Sequence, residues 1–135
     1  MDAPAVPWDG PAARVIAHDG HALGHGAVFL PDTGVLVAGD MCSDVEIPLH
    51  DLAAADPLGN YRTGMERLAS VPGVRQVVPG HGHVGDAGEF RRRLALDAAY
   101  MDAVAGGKPS GDPRLADCEK WLRITHGEQV QYFQR

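Results

Sequence analysis

Residues 20–40 read GHALGHGAVFLPDTGVLVAGD, and they carry the clearest strand and turn signals in the chain. It contains two apolar runs, Ala27–Leu30 and Val35–Ala38, separated by the turn-forming residues Pro-Asp-Thr-Gly at 31–34. Because a link of this length suits a hairpin, the stretch predicts two adjacent antiparallel strands. The second run is continuously apolar rather than alternating, which indicates a strand buried on both faces of a sheet. That strand ends at Gly39-Asp40.

Further elements on either side follow from the hydrophobic spacing and the turn signals. In chain order they are a strand at Arg14–Ala17, a helix at about 58–71, a strand at Arg75–Val78, a helix at about 87–105, and a helix from Leu115 to about Thr125. Asp56 before Pro57 is typical of a helix start, and Asp86 with Glu89 resembles a capping box. We expect the first two helices to cover one face of the sheet, which gives an α/β (α+β layered) domain.

The length and composition predict a single domain, 1–135, with 44% apolar and 22% charged residues. We divide it into an arm at 1–12, a core at 13–105 and a C-terminal helical segment at 112–133. The formal net charge of −6 argues against nucleic acid as a partner. No apolar run reaches about 18 residues, so we expect no membrane partner, and the N-terminal residues do not resemble a secretory signal. Two distant cysteines, Cys42 and Cys118, suit a reduced, cytoplasmic protein.

Histidine stands out in the composition, because five of the seven histidines fall in two short windows. Asp40 ends one predicted strand, His81 follows another, and His21 precedes a third. Strand ends are rigid and their loops are exposed, which is where sheet proteins place active sites. Imidazole and carboxylate are ligands that suit zinc and similar divalent ions. Each signal alone is weak, since Gly-Asp after a strand is commonly a turn, but their order and spacing together favour a metal site.

The segment at residues 20–40 resembles the part of the metallo-β-lactamase fold that runs from a metal-ligand histidine through two strands to Gly-Asp. VVPGHG, residues 77–82, resembles the strand and loop that carry the last metal-ligand histidine of that family. The similarity covers about residues 14–105. It implies that His21 and His81 are metal ligands and that Asp40 is the carboxylate that bridges two ions, taken to be zinc.

The resemblance also implies metal-assisted hydrolysis, in which a hydroxide shared by two ions attacks a small-molecule ester, thioester, lactone or amide. Asp40 would orient this nucleophile. His83 is a second catalytic candidate, with a solvated loop histidine as the alternative. The loop after Asp40 would flank the substrate through Ile47, Leu49 and His50. The family acts on many substrates, so the fold does not define which one is cleaved.

The remaining histidines have weaker claims on the chemistry. His25 occupies a position that is often Ser or Thr in the family, and a hydrogen-bonding loop residue is favoured there over a metal ligand. His18 and His50 carry no motif of their own as ligands. His126 lies late in the chain, where a surface position at a helix end is expected.

The first motif of the family, His-x-His-x-Asp-His, has no counterpart in the 135 residues. Without it, each ion would keep about two protein ligands, whereas structural zinc sites have four and catalytic ones have three plus water. The resemblance therefore implies two ions in the complete family site, but one, weakly held, or none in this chain alone.

The complete family fold is an αβ/βα sandwich of two similar halves, and this chain resembles only the second half. A half sandwich exposes an apolar sheet face, which needs a partner. The candidates are an N-terminal half on another chain, a second copy of this chain, or residues removed by an alternative start or a split gene. The predicted function is that of a truncated or split metal-dependent hydrolase. The alternative is a catalytically inactive remnant or a subunit that binds a partner.

Overall fold

The strands form one sheet, in the order β1-β2-β3-β4-β5, in a computed structural model that describes residues 4–135. They are β1 (Arg14–Ala17), β2 (Gly26–Leu30), β3 (Val35–Gly39), β4 (Gln76–Pro79) and β5 (Gly85–Asp86). The helices are α1 (Pro57–Ala69), α2 (Ala87–Ala105) and α3 (Lys120–Phe133), with a short 3₁₀ turn at Pro113–Leu115. This is the layered α/β architecture that the sequence predicts.

β2 and β3 form the predicted antiparallel hairpin. Phe29 lies opposite Leu36, and Val28 lies opposite Val37. The turn is closed by the amide of Gly34, which donates to the carbonyl of Leu30 at 2.8 Å. The prediction from residues 20–40 is confirmed.

β4 lies beside β3 and runs parallel to it, with Leu36 opposite Val77. The connection between the two strands includes α1, because a parallel pair needs a crossover. Since the carboxyl ends of both strands lie at the same edge of the sheet, the residues that follow them, Asp40 and His81, are brought together. The strand begins and ends one residue later than the predicted Arg75–Val78.

α1 and α2 begin at the predicted caps. The Asp56 carboxylate accepts from the amide of Gly59 at 3.0 Å, and that of Asp86 accepts from the amide of Glu89 at 2.8 Å. Apolar residues of all three helices join one face of the sheet in a single core, which includes Tyr61, Leu68, Phe90, Met101 and Leu122 from the helices and Ala27, Phe29, Leu36, Ala38 and Val77 from the strands. The helices therefore cover one face of the sheet, as expected.

The opposite face of the sheet is uncovered among the described residues. A row of valines crosses four of its strands in register, formed by Val15, Val28, Val37 and Val78. Val37 keeps 39% of its surface exposed. The prediction that β3 is buried on both faces is therefore wrong for residues 4–135. Burial along this strand alternates because the helices pack on one side only.

The C-terminal helix departs from its predicted position. The sequence predicts one helix from Leu115 to about Thr125, but α3 begins at Lys120 and continues to Phe133. The start is later because the Asp112 carboxylate accepts from the amide of Arg114 at 2.9 Å and forms a separate 3₁₀ turn. α3 also extends beyond the predicted end at about Thr125, because Gly127 weakens the helical signal in the sequence but does not end the helix. None of the helices in the described part of the chain is long and apolar enough to cross a membrane.

His126 therefore lies inside α3 and not at a helix end, so its expected surface position is wrong. Its Nδ1 is 2.8 Å from Tyr100 Oη, a half-buried contact between α3 and α2.

The predicted arm lies along β1 where the structure describes it. The amide of Val6 donates to the carbonyl of Ala13 at 2.8 Å, and the amide of Val15 donates to that of Pro4 at 3.0 Å. The first three residues of the predicted arm at 1–12 lie outside the described residues.

Candidate metal centre

Asp40 lies between two histidines at the carboxyl edge of the sheet. His21 Nε2 is 3.5 Å from Asp40 Oδ2, and His81 Nε2 is 3.3 Å from Asp40 Oδ1. Each carboxylate oxygen therefore has its own imidazole, and 40% of the Asp40 side chain remains open to solvent. The structure brings together the three residues that the sequence singles out, and their role as metal ligands stays a prediction.

Two glycines allow the loops to meet at Asp40. Gly39 has a φ of +62°, and a Cβ at this position would lie 2.6 Å from His25 Nε2. A Cβ at Gly80 would lie 2.8 Å from Asp40 Oδ1, so glycine is needed for this close approach. His25 Nε2 accepts a hydrogen bond from the amide of Asp40 at 3.1 Å, which holds the end of β3 in place. The interpretation of His25 as a hydrogen-bonding loop residue is confirmed.

A single hydrogen bond determines which ring nitrogen of His21 is available to Asp40. His21 Nδ1 lies 3.1 Å from the carbonyl oxygen of Leu49, an atom that can only accept. Nδ1 therefore carries a proton, and in the neutral ring Nε2 presents a lone pair beside Asp40. A lone pair next to a carboxylate oxygen suits a cation placed between them.

His83 is tied to the loop that follows β3. Its Nδ1 lies 2.8 Å from Asp44 Oδ2, and its amide donates to Asp44 Oδ1 at 2.8 Å. Burial alone would raise the pKa of Asp44, but the hydrogen bonds from His83 and the charge of Arg93 outweigh burial and lower this pKa. The His83 side chain is 80% exposed. A catalytic role for His83 stays a prediction.

Arg93 of α2 ties the two site loops together. Its Nη1 donates to the carbonyl of His83 at 2.8 Å and to that of Cys42 at 3.2 Å. Cys42 has a φ of +60°, which residues other than glycine rarely adopt, so Arg93 holds a strained residue two positions after Asp40. Burial raises the pKa of the Cys42 thiol well above its usual value, which makes it an inert part of the core.

Arg114, in the 3₁₀ turn, holds the next part of the same loop. Its Nη1 donates to the carbonyls of Ser43 and Glu46, both at 3.1 Å, and to Asp97 Oδ1 at 2.6 Å. Burial raises the pKa of Asp97 to about 6, although the Arg114 guanidinium opposes this shift. Arg114 also pairs with Asp112 at 2.7 Å, so it is the removal of Arg114 that would leave the buried Asp97 carboxylate without its ion-pair partner.

The candidate substrate-binding residues are less open than the sequence predicts. Ile47 is 2% exposed and belongs to the core, and His50 is 9% exposed with its ring packed against Tyr61. Leu49 is half-buried against the same core. The loop bonds to His21 through the carbonyl oxygen of Leu49. Contact between the three side chains and a substrate stays a prediction.

Two acidic residues near the site were missed by sequence reasoning. Glu46 Oε1 lies 3.9 Å from His81 Nδ1, and Asp44 holds His83. Both also line a cleft of about 400 Å³ that opens beside the segment Pro113–Leu122. The signal that could have found them is the pair of acidic side chains in the loop directly after Gly39-Asp40.

The donor atoms fit a divalent ion in kind but not in number. Two imidazoles and a carboxylate match the ligand preferences of zinc. They form two pairs and not one cluster, and residues 4–135 contain no group of three or more His, Cys, Asp or Glu side chains placed to hold a metal ion. Each pair, His21 with Oδ2 and His81 with Oδ1, falls at least one protein ligand short of a catalytic site. These residues make at most part of a metal centre.

Comparison with solved structures identifies the fold of this chain. The chain is similar to a metallo-β-lactamase family protein from Thermus thermophilus, with a TM-score of 0.67 and 25% identity over 98% of this chain and 46% of the other. It is also similar to a protein solved in a di-iron-bound form, with a TM-score of 0.51 and 31% identity over 60% of this chain and 40% of the other. The fold is that of the metallo-β-lactamases.

The amino-acid sequence is also similar to that of a curated protein. Over 140 residues the chain is 34% identical to the hydroxyacylglutathione hydrolase of Rhodobacter capsulatus, a match that covers 96% of this chain and 50% of the relative. No family model matches the chain. The chain therefore has the metallo-β-lactamase fold and is similar to about half of a hydrolase of that fold. It spans about half the length of the curated relative that it matches.

Proposed function

We propose that this chain is the C-terminal half of a metal-dependent hydrolase that cleaves an ester, thioester, lactone or amide-type small molecule. The observation that carries the proposal is Asp40 with an imidazole nitrogen beside each carboxylate oxygen. His21, Asp40 and His81 would hold divalent ions, taken to be zinc. Such ions, when bound, polarise the scissile bond and lower the pKa of water.

The residues of this chain would supply position and orientation. His25 holds the backbone of Asp40, so that each oxygen of the carboxylate stays beside its own histidine. His83, which is held by Asp44 and exposed, would offer its other ring nitrogen to the substrate.

The remaining ligands would come from an N-terminal half that packs on the uncovered sheet face. That face carries the row of four valines, an apolar surface that water disfavours. The N-terminal half would lie on the same longer chain or on a second chain, and a second copy of this chain is the other possible occupant. A cytoplasmic location, and the lack of nucleic-acid and membrane partners, stay predictions.

A chimera tests the proposal. The first half of the Rhodobacter relative is fused upstream of this chain, and cleavage of a hydroxyacylglutathione is followed with and without zinc. We expect zinc-dependent cleavage that Asp40→Asn and His81→Ala abolish, and that Arg91→Ala, at an exposed position on α2, leaves unchanged.

The contrary result is a chimera that folds and binds zinc, yet hydrolyses no ester, thioester, lactone or amide. It would favour the alternative, an inactive remnant or a partner-binding subunit. The uncovered sheet face and the incomplete ligand set are the observations that speak for that alternative.

A further inference from the structure

Gln129 is a buried polar side chain on α3 that bonds to the loop between β3 and α1. Its Oε1 accepts from the amide and from Nδ1 of His50, both at 2.7 Å. Its Nε2 donates to the carbonyl of Pro48 at 3.0 Å and to Tyr100 Oη at 2.9 Å. The orientation of the amide is fixed, because a backbone N–H only donates and a carbonyl only accepts. All of its hydrogen-bonding capacity is therefore used.

The two backbone bonds lie on either side of Leu49. Pro48 is held at its carbonyl and His50 at its amide, so the peptide groups that flank Leu49 are anchored to the same side chain. The carbonyl of Leu49 is the acceptor for His21 Nδ1 at 3.1 Å. A continuous set of hydrogen bonds thus leads from α3 to the histidine beside Asp40.

We propose that Gln129 is a positioning residue for His21. By anchoring Pro48 and His50, it aims the Leu49 carbonyl at His21 Nδ1, so that in the neutral ring Nε2 is the nitrogen that faces Asp40 with a lone pair. The functional meaning of this arrangement rests on the proposed function, in which His21 Nε2 is a metal ligand. The C-terminal segment then contributes to the site without touching it.

Glutamine is suited to this position by its chemistry. A methionine of similar length would leave the His50 amide and the Pro48 carbonyl buried without partners. A glutamate could still accept from His50, but it could not donate to Pro48. Gln129→Glu therefore removes one anchor and keeps the other, with little change in volume, while Gln129→Met removes both.

The test reads the His21 ring directly. Nitrogen NMR of the metal-free chain, at a pH where histidines are neutral, reports which ring nitrogen carries the proton. We expect the Nδ1–H tautomer at His21 in the wild type. In Gln129→Glu the Nε2–H tautomer should gain population, and more so in Gln129→Met. Gln131→Ala, on an exposed position of the same helix, should leave His21 unchanged.

A purely structural role for Gln129 would lower the unfolding temperature of the variants without altering the tautomer, and that outcome would overturn the inference. An Nε2–H tautomer in the wild type would overturn it without any variant. In zinc titrations, Gln129→Glu should bind about tenfold more weakly than the wild type, as is typical when the partner of a ligating histidine is lost. The tautomer is measured without metal, so it separates failure of this inference from failure of the proposed function.

Discussion

His18 lies buried beside the site, next to His25. Its ring centroid is 4.9 Å from that of His25, and its Nδ1 accepts from the amide of Gly20 at 3.1 Å. Burial, with the charge of His25 as the next cause, lowers the pKa of His18 from 6.5 to about 4. Between these two values the folded protein keeps His18 neutral, whereas the unfolded chain binds a proton there.

The free energy of unfolding should therefore fall as the pH drops from 6.5 towards 4, by up to about 3 kcal/mol from His18. The loss runs in this direction because the unfolded state binds more protons than the folded state. His18→Asn keeps an acceptor for the Gly20 amide but does not titrate, so it should remove the part of this dependence that His18 contributes, while His25, His50 and His126, whose pKa values burial also lowers, keep theirs. Urea unfolding of the wild type and of His18→Asn at several pH values measures it. An unchanged pH dependence in His18→Asn would count against this account.

The loop over residues 41–50 is held by hydrogen bonds from side chains that are far away in the sequence. Arg93 and Arg114 bond to its carbonyls from α2 and from the 3₁₀ turn. These carbonyls are more than 50 residues away along the chain. The loop therefore takes its conformation from tertiary contacts, in contrast to the local hairpin of β2 and β3.

Arg114→Met should lower the free energy of unfolding by about 3 kcal/mol or more, because it leaves Asp97 buried without its partner. Arg92→Met is the matched control. Arg92 also bonds to a carboxylate, that of Glu89 at 2.6 Å, but on the surface, so its loss should change stability little. Urea unfolding of both variants at neutral pH makes the comparison. Equal effects of the two substitutions would show that the buried pair of Arg114 and Asp97 contributes no more to stability than the surface pair of Arg92 and Glu89.

Local signals account for the parts of the fold that the sequence could predict. The hairpin follows from two apolar runs around a turn, and the starts of α1 and α2 follow from Asp56 and Asp86 at their caps. α3 was misplaced because Gly127 interrupts its helical pattern and Asp112 starts a separate turn before it. The prediction that β3 is buried on both faces is wrong because the described residues include no second layer of structure on the face opposite the helices.

The residues of the site also fall into two groups, those that local sequence signals indicate and those that only tertiary contacts reveal. His21, Asp40 and His81 could be singled out because each adjoins the end of a strand and matches a motif of the family. Gln129 and Arg114 could not, because they are buried polar side chains whose partners are backbone groups far away in the sequence. No spacing rule connects such pairs, and only the packed structure shows them.

For the molecule as a whole, the uncovered sheet face is the feature with the largest consequence. We predict that Val37→Glu, in the middle of the valine row, prevents the association that this face promotes, because it buries a charge against apolar residues. Light scattering after size-exclusion chromatography measures the mass. Ile124→Glu is the control, since Ile124 is an exposed apolar residue on α3, away from the sheet. A wild-type chain that stays monomeric at high concentration, with no dye-accessible apolar surface, would contradict this prediction.

Calorimetric titration of zinc into the wild type and the three single alanine variants tests whether His21, Asp40 and His81 form part of a metal centre. The wild type should bind weakly, because two protein ligands per ion give little of the stabilisation that four give. His21→Ala and His81→Ala should each weaken binding further, and Asp40→Ala should abolish it, since Asp40 is the carboxylate shared by both pairs. Tight binding that Asp40→Ala leaves unchanged would place the metal elsewhere and contradict the account.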